Sequence, residues 1–126
     1  MRLVQVAQHV DDLDRAIAFY EDLLATKVSA RFDPPGIAFF FLEGTRLLLD
    51  TAAASSLIYL EVDDVEFTTD ELRTKGVEII TEPHVIFQHT DGTLGPVGTD
   101  EWMSFIRDSE GNQLGLVSYS DTDPND

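Results

Sequence analysis

Val10-Asp11-Asp12-Leu13 recurs as Val62-Asp63-Asp64-Val65, and both copies follow a short apolar run and precede an amphipathic stretch. A short carboxylate just before such a stretch accepts from the orphan N–H groups of a first helical turn, so each copy reads as strand, cap and helix start. The chain is therefore a duplicated β-α-β unit. Two like halves mark, by their register, the positions at which a ligand would sit.

Working outward, Leu3 to His9 reads as a strand, and Asp11 or Asp12 caps a helix. Its apolar residues Leu13, Ala16, Ile17, Tyr20 and Leu24 recur three and four apart and so share one face. Lys27 to Phe32, Ile37 to Leu42 and Arg46 to Thr51 read as strands, separated by the turn signals Asp33-Pro34-Pro35-Gly36 and Glu43-Gly44. Thr51-Ala52-Ala53-Ala54-Ser55 reads as a linker. The second half repeats the order: strand Leu57 to Val62, helix Asp64 to Lys75 closed by Gly76, and strand Val77 to Ile86. A polar, glycine-rich stretch, Gln88 to Thr99, reads as a rim loop. Trp102 to Arg107 and Gln113 to Tyr119 complete the strands around the turn Asp108-Ser109-Glu110-Gly111-Asn112.

The 126 residues, 43% of them apolar, suit one domain: module one at 1–52, module two at 56–119 and an acidic tail at 120–126 that reads as frayed. No run reaches the about eighteen apolar residues of a membrane span, and the first residues lack signal-peptide character. A cytoplasmic protein is expected. Cysteine is absent, which removes disulfides, thiolate nucleophiles and thiolate metal sites. A net charge of −16 with eight Lys and Arg argues against nucleic acid and anionic membranes as partners. Such acidity serves solubility, adaptation to salt, or attraction of a cationic ligand.

Asp12-Leu13 with Ala16-Ile17, Phe19-Tyr20 and Leu23-Leu24, the second Glu61-Val62-Asp63-Asp64-Val65, and Phe105-Ile106-Arg107-Asp108 with Gly111-Asn112 together resemble the vicinal oxygen chelate superfamily. That group holds glyoxalase I, bleomycin resistance proteins, methylmalonyl-CoA epimerase and extradiol dioxygenases. The resemblance implies an α+β fold of two tandem β-α-β-β-β modules, whose curled mixed sheets form a cleft, often completed in a homodimer. It also implies a divalent metal held by one side chain from the first and last strand of each module. In this chain those positions fall on Gln5, Leu48, Leu57 and Gly115. Only Gln5 carries a donor, whereas catalytic metals need about three protein ligands. Asp50, two residues past Leu48, lies on the same strand face and is the nearest substitute. The expectation is no metal and no cofactor.

The three histidines are weighed separately. His9 ends the first strand on the face of Gln5 and Ala7. His84 and His89 flank the polar rim, with His84 the foremost candidate for proton transfer because imidazole titrates near neutral pH. Glu61 shares a strand face with Leu57 and Tyr59 but reads as a solvated strand end. No nucleophile elbow, phosphate loop or His-Glu-Xaa-Xaa-His helix is present.

A cleft without metal still binds. Gln5, Ala7, Leu48, Asp50, Leu57, Tyr59, Gly115 and Val117 would line an apolar trough with a few polar groups, and His84 and Trp102 would join the binding surface. Gly115 either leaves room for a flat ring or relieves crowding between strands. Phe39, Phe40 and Phe41 must split between two faces. The first expectation is binding of a small organic molecule, cationic or aromatic, for sequestration or carriage, as in the bleomycin resistance branch. The second is a lyase, isomerase or dioxygenase with a non-standard metal site, or with a metal-free base such as His84, Asp50 or Glu61. A third is an interaction module. For a cationic aromatic ligand, Asp50 would be the anchor while Tyr59 or Trp102 stacks.

Overall fold

The structure, a computed structural model, describes residues 3–123. The first half begins with β1 (Gln5–His9), followed by α1 (Leu13–Leu24). Asp12 is the cap: its carboxylate accepts from the Arg15 N–H at 3.0 Å. Leu13, Ala16, Ile17 and Tyr20 are buried, as their spacing requires, and Leu24 is half-buried. β2 (Ala30–Phe32), β3 (Ile37–Leu42) and β4 (Thr45–Asp50) complete a sheet of order β1-β4-β3-β2, with β1 parallel to β4 and the other pairs antiparallel. The helix packs on β3 and β4.

Strand alternation decides which residues it covers. Ala38, Phe40, Leu47 and Leu49 turn toward the helix and are at most 1% exposed. Each large side chain among them contributes about 1.5–3 kcal/mol by leaving water. Phe39 and Phe41 go to the opposite, open face, so the phenylalanine run divides as strand geometry demands.

The second half repeats the plan. β5 (Ile58–Glu61), α2 (Val65–Thr74), β6 (Ile79–His89), β7 (Thr99–Arg107) and β8 (Gln113–Asp121) give the order β5-β8-β7-β6. Asp64 caps α2, accepting from the Phe67 N–H at 3.2 Å. The helix buries Val65, Thr69 and Leu72 and packs on β6, β7 and β8. The fold is thus α+β, a tandem β-α-β-β-β pair.

Two boundaries correct the sequence reading. β6 runs past Ile86 to His89 and β7 starts at Thr99, because Gln88 pairs with Asp100 and His89 with Thr99. Continuous backbone pairing there outweighs polar composition, and the rim shrinks to residues 90–98. β8 likewise continues to Asp121, and Thr122 donates to the Gly98 carbonyl at 2.9 Å and to Asp100 at 2.9 Å. The start of the expected frayed tail is therefore ordered, while residues 124–126 lie outside the described residues.

The chain forms two compact units. The first runs up to Ile58 and includes Asp108–Asn112; the second holds Tyr59–Arg107 and the chain from Gln113 onward. The turn Asp108–Asn112 is thus part of the first unit, where its side chains seat α1. Buried Tyr20 donates its hydroxyl to Asp108 at 2.7 Å, and Asn112 donates to the His9 carbonyl at 2.7 Å. One Glu110 oxygen accepts from the Asp11 and Asp12 N–H groups, both at 2.8 Å, and the other from Arg15 Nε at 2.7 Å. The Arg15 guanidinium, helped by those N–H groups and Ser109, lowers the Glu110 carboxyl to about 2. Burial, then Asp108, drives the Tyr20 hydroxyl well above its ordinary value.

Candidate functional site

In the second unit, the face of the sheet turned away from α2 forms an apolar trough. Glu101 pairs with Tyr119, Met103 with Val117, and Phe87 with Glu101, which sets these side chains on one face. With Tyr59 of β5, His89, and Ile86 and Leu94 at the edge, they enclose a hollow of about 450 Å³. Tyr59, Phe87 and Leu94 remain 51%, 48% and 76% exposed, so the walls present large apolar surface to solvent.

The floor carries one buried polar pair. His89 is 2% exposed, and its Nε2 lies 2.8 Å from Glu101 Oε1. An ionised carboxylate only accepts, so Nε2 holds the proton and donates. Nδ1 is buried with no partner. Phe87 meets the imidazole edge-on with centroids 4.8 Å apart, and Tyr119 leans on it at 5.8 Å. Gly95 closes the other side: a Cβ there would fall 2.7 Å from His89 Cε1, so only glycine lets the loop backbone approach this closely. The Gly98 N–H donates to the His89 carbonyl at 2.8 Å. Burial raises the Tyr119 hydroxyl, with Glu101 and Glu61 adding to the effect, so two carboxylates act on this end of the trough. Among the described residues no lysine or arginine lines it.

In the first unit the open face is chemically different. Gln5, Ala7 and His9 of β1 stand beside Arg46, Leu48 and Asp50 of β4, which in turn stand beside Phe41, Phe39 and Ile37 of β3. Arg46 donates Nε–H to Gln5 Oε1 at 2.9 Å. Gln5, Ser29, Ala30, Phe39, Phe41 and Arg46 line a shallow hollow of about 310 Å³.

The structure sorts the residues expected to bind. Gln5, Ala7, Leu48 and Asp50 do share one face. Asp50, however, turns its carboxylate to the Ala52 N–H at 2.8 Å, capping the turn that follows β4. Tyr59 lines the second-unit trough, and Leu57 lies just before β5, 48% exposed. The space beside Gly115 is filled by the protein's own ring, since a Cβ would fall 2.5 Å from Tyr59 Cδ1. Trp102 pairs with Ser118 on the face opposite Glu101 and Met103, donates Nε1–H to Ser120 at 2.9 Å, and borders a separate hollow with Asp63, Asp64 and Glu66.

His84 is exposed, its Nδ1 bonded to the Glu82 carbonyl of its own strand at 2.9 Å. His9 engages Asp11 at 2.8 Å and the Ala53 carbonyl at 3.0 Å, and the Asp11 carboxylate raises its pKa. The histidine built into a pocket is therefore His89, read from sequence as a rim residue. Its burial follows from the extra β6–β7 pairing, which its polar neighbours conceal. Glu101 was legible only through that same pairing.

The four positions at which the family resemblance implies a metal do not fit one. Leu48, Leu57 and Gly115 supply no donor, and the Gln5 amide oxygen is already engaged by a guanidinium, whose charge opposes a divalent cation. Among the described residues no group of three or more His, Asp or Glu is placed to hold a metal ion, and no helix is long and apolar enough to cross a membrane.

A family model for the Glyoxalase/Bleomycin resistance protein/Dioxygenase superfamily matches residues 2–116. Solved structures share the fold. The lactoylglutathione lyase of Agrobacterium tumefaciens is 22% identical with a TM-score of 0.67, covering 93% of this chain and 92% of its own. A glyoxalase/bleomycin resistance protein/dioxygenase of Alicyclobacillus acidocaldarius is 18% identical with a TM-score of 0.66, over 95% and 92%. A glyoxalase I mutant of Zea mays is 22% identical with a TM-score of 0.65, over 95% of this chain and 45% of that one. No curated protein sequence matches.

Proposed function

Because the chain belongs to the glyoxalase/bleomycin resistance protein/dioxygenase superfamily yet carries one donor at the four implied metal positions, we propose that it binds a small organic cation with an aromatic body, for sequestration or carriage. The observation that carries this reading is the trough around Glu101: aromatic walls, a partly buried carboxylate and no lysine or arginine. Aromatic faces attract cations, and a desolvated carboxylate anchors them with a charge-assisted bond. The net charge of −16 adds long-range attraction at low salt. A cytoplasmic homodimer is part of this proposal, on the family resemblance.

The test is titration of 2-naphthylmethylammonium against its neutral counterpart 2-naphthylmethanol, followed by calorimetry or ligand-observed NMR. The cation should bind more tightly, with an advantage that shrinks as salt rises. Equal affinities would remove the case for a cation site.

A second reading is metal-free proton transfer, and the His89–Glu101 pair favours it. Glu101 accepts from Nε2–H, so a neutral His89 keeps its lone pair on Nδ1, which is buried without a partner among the described residues. In that reading His89 takes the place expected of His84. His89→Gln would then abolish turnover; turnover that survives it would rule His89 out as the base.

A further inference from the structure

The geometry points to a carboxylate-binding site in the first unit, built on Arg46 and suited to a flat aromatic acid. It is independent of the cation trough, resting on a different sheet and on residues that the trough does not use.

The first observation concerns charge. Arg15 pairs with Glu110, Arg31 with Asp14 and Asp33, Arg73 with Asp70 and Glu82, and Arg107 with Glu78. Among the described arginines, Arg46 has no carboxylate partner, although acidic residues outnumber basic ones 24 to 8. In so acidic a chain, an arginine on an open sheet face without a carboxylate partner keeps its charge available to an anion.

The second observation is positioning. Arg46 spends Nε on Gln5 Oε1 at 2.9 Å, and Gln5 is its neighbour in the parallel ladder. A guanidinium held at Nε keeps its Nη1 and Nη2 edge, the two-pronged fork that matches the two oxygens of a carboxylate. Ordering by Gln5 lowers the rotamer entropy that a ligand would otherwise have to remove.

The third observation is the surrounding surface. Phe41 stands directly across from Arg46 on β3, 61% exposed, with Phe39 two residues on along the same face. Together with Ser29 and Ala30 they border the hollow of about 310 Å³. The Phe41 N–H donates to Ser29 Oγ at 2.9 Å, which fixes that rim. A charged fork beside an exposed ring and a half-buried one suits a ligand that is both anionic and flat. A second copy of the chain would cover the rings but, with its net charge of −16, would need its own carboxylate against Arg46.

The experiment titrates 2-naphthoate, 2-naphthylmethanol and 2-naphthylmethylammonium into the full chain, its Arg46→Gln and Arg46→Lys variants, and Glu101→Gln. Naphthoate should bind more tightly than the alcohol, lose at least about tenfold in Arg46→Gln, lose less in Arg46→Lys, and be indifferent to Glu101→Gln. Naphthoate binding no better than the alcohol in the unmodified chain overturns the proposal whether or not the variants fold. So does naphthoate affinity unchanged in a folded Arg46→Gln. Sedimentation runs alongside: a self-association that Arg46→Gln weakens, with no naphthoate binding, assigns the face to a second copy and also overturns it. Loss of cation binding alone leaves this site standing and strikes only the trough.

Discussion

The two halves repeat one fold and diverge where the fold leaves a surface open. In the first unit the open face carries a guanidinium held by an amide and flanked by exposed Phe41 and half-buried Phe39. In the second the corresponding face carries a buried imidazole–carboxylate pair beneath aromatic walls and a glycine-tight loop. The helix sides differ far less, since both bury apolar residues under an aspartate-capped helix. The repeat carries over the packing face, whereas the open faces differ in their charged groups. A repeat therefore predicts architecture well and chemistry poorly.

The largest expected difference lies between the two faces of one strand. Phe40→Ala should cost about 3–5 kcal/mol, because Phe40 is fully buried and its loss leaves a cavity. Phe41→Ala, one residue on and largely exposed, should cost far less. Urea unfolding measures both, and equal losses would deny that the faces differ.

Next in size is the turn that seats α1. Glu110→Gln should cost about 2 kcal/mol by weakening charged bonds to Arg15 and two backbone N–H groups. The pH dependence follows from the direction of its shift. Its carboxyl falls from an ordinary 4.5 to about 2 on folding, so the folded state holds the proton less tightly. That stability is present above the ordinary value and is lost as pH falls from 4.5 toward 2. Acid unfolding of Glu110→Gln should lack this component; identical profiles would contradict it.

The smallest effect lies at the helix ends. Ala25 closes α1 in the left-handed region at φ 51°, whereas Gly76 takes φ 87° just after α2. Ala25→Gly should stabilise the chain by about 0.5 kcal/mol, relief of left-handed strain exceeding the added unfolded entropy. A lower melting temperature in the variant would count against that balance.

The architecture was legible because it rests on local signals: the repeated aspartate caps, three-and-four spacing in α1, and strict alternation in β3 and β4. The open faces were legible in part. Strand phase grouped Gln5, Ala7, Leu48 and Asp50, but not the end of Asp50's carboxylate on the Ala52 N–H. His89 and Glu101 escaped because the β6–β7 ladder extends through residues of loop composition, and only pairing buries them. Trp102 was expected with the binding surface, whereas phase within β7, set by Glu101 and Met103, turns it to the other face. Arg46 read as a strand start; its isolation from carboxylates exists only in three dimensions.

The most direct measurement is the affinity of 2-naphthylmethylammonium for the unmodified chain and for Glu101→Gln, with circular dichroism to verify folding. The expected result is a loss of about tenfold in the variant, the equivalent of one charge-assisted bond, and a weaker salt dependence. Unchanged affinity and salt dependence in a folded Glu101→Gln would contradict it.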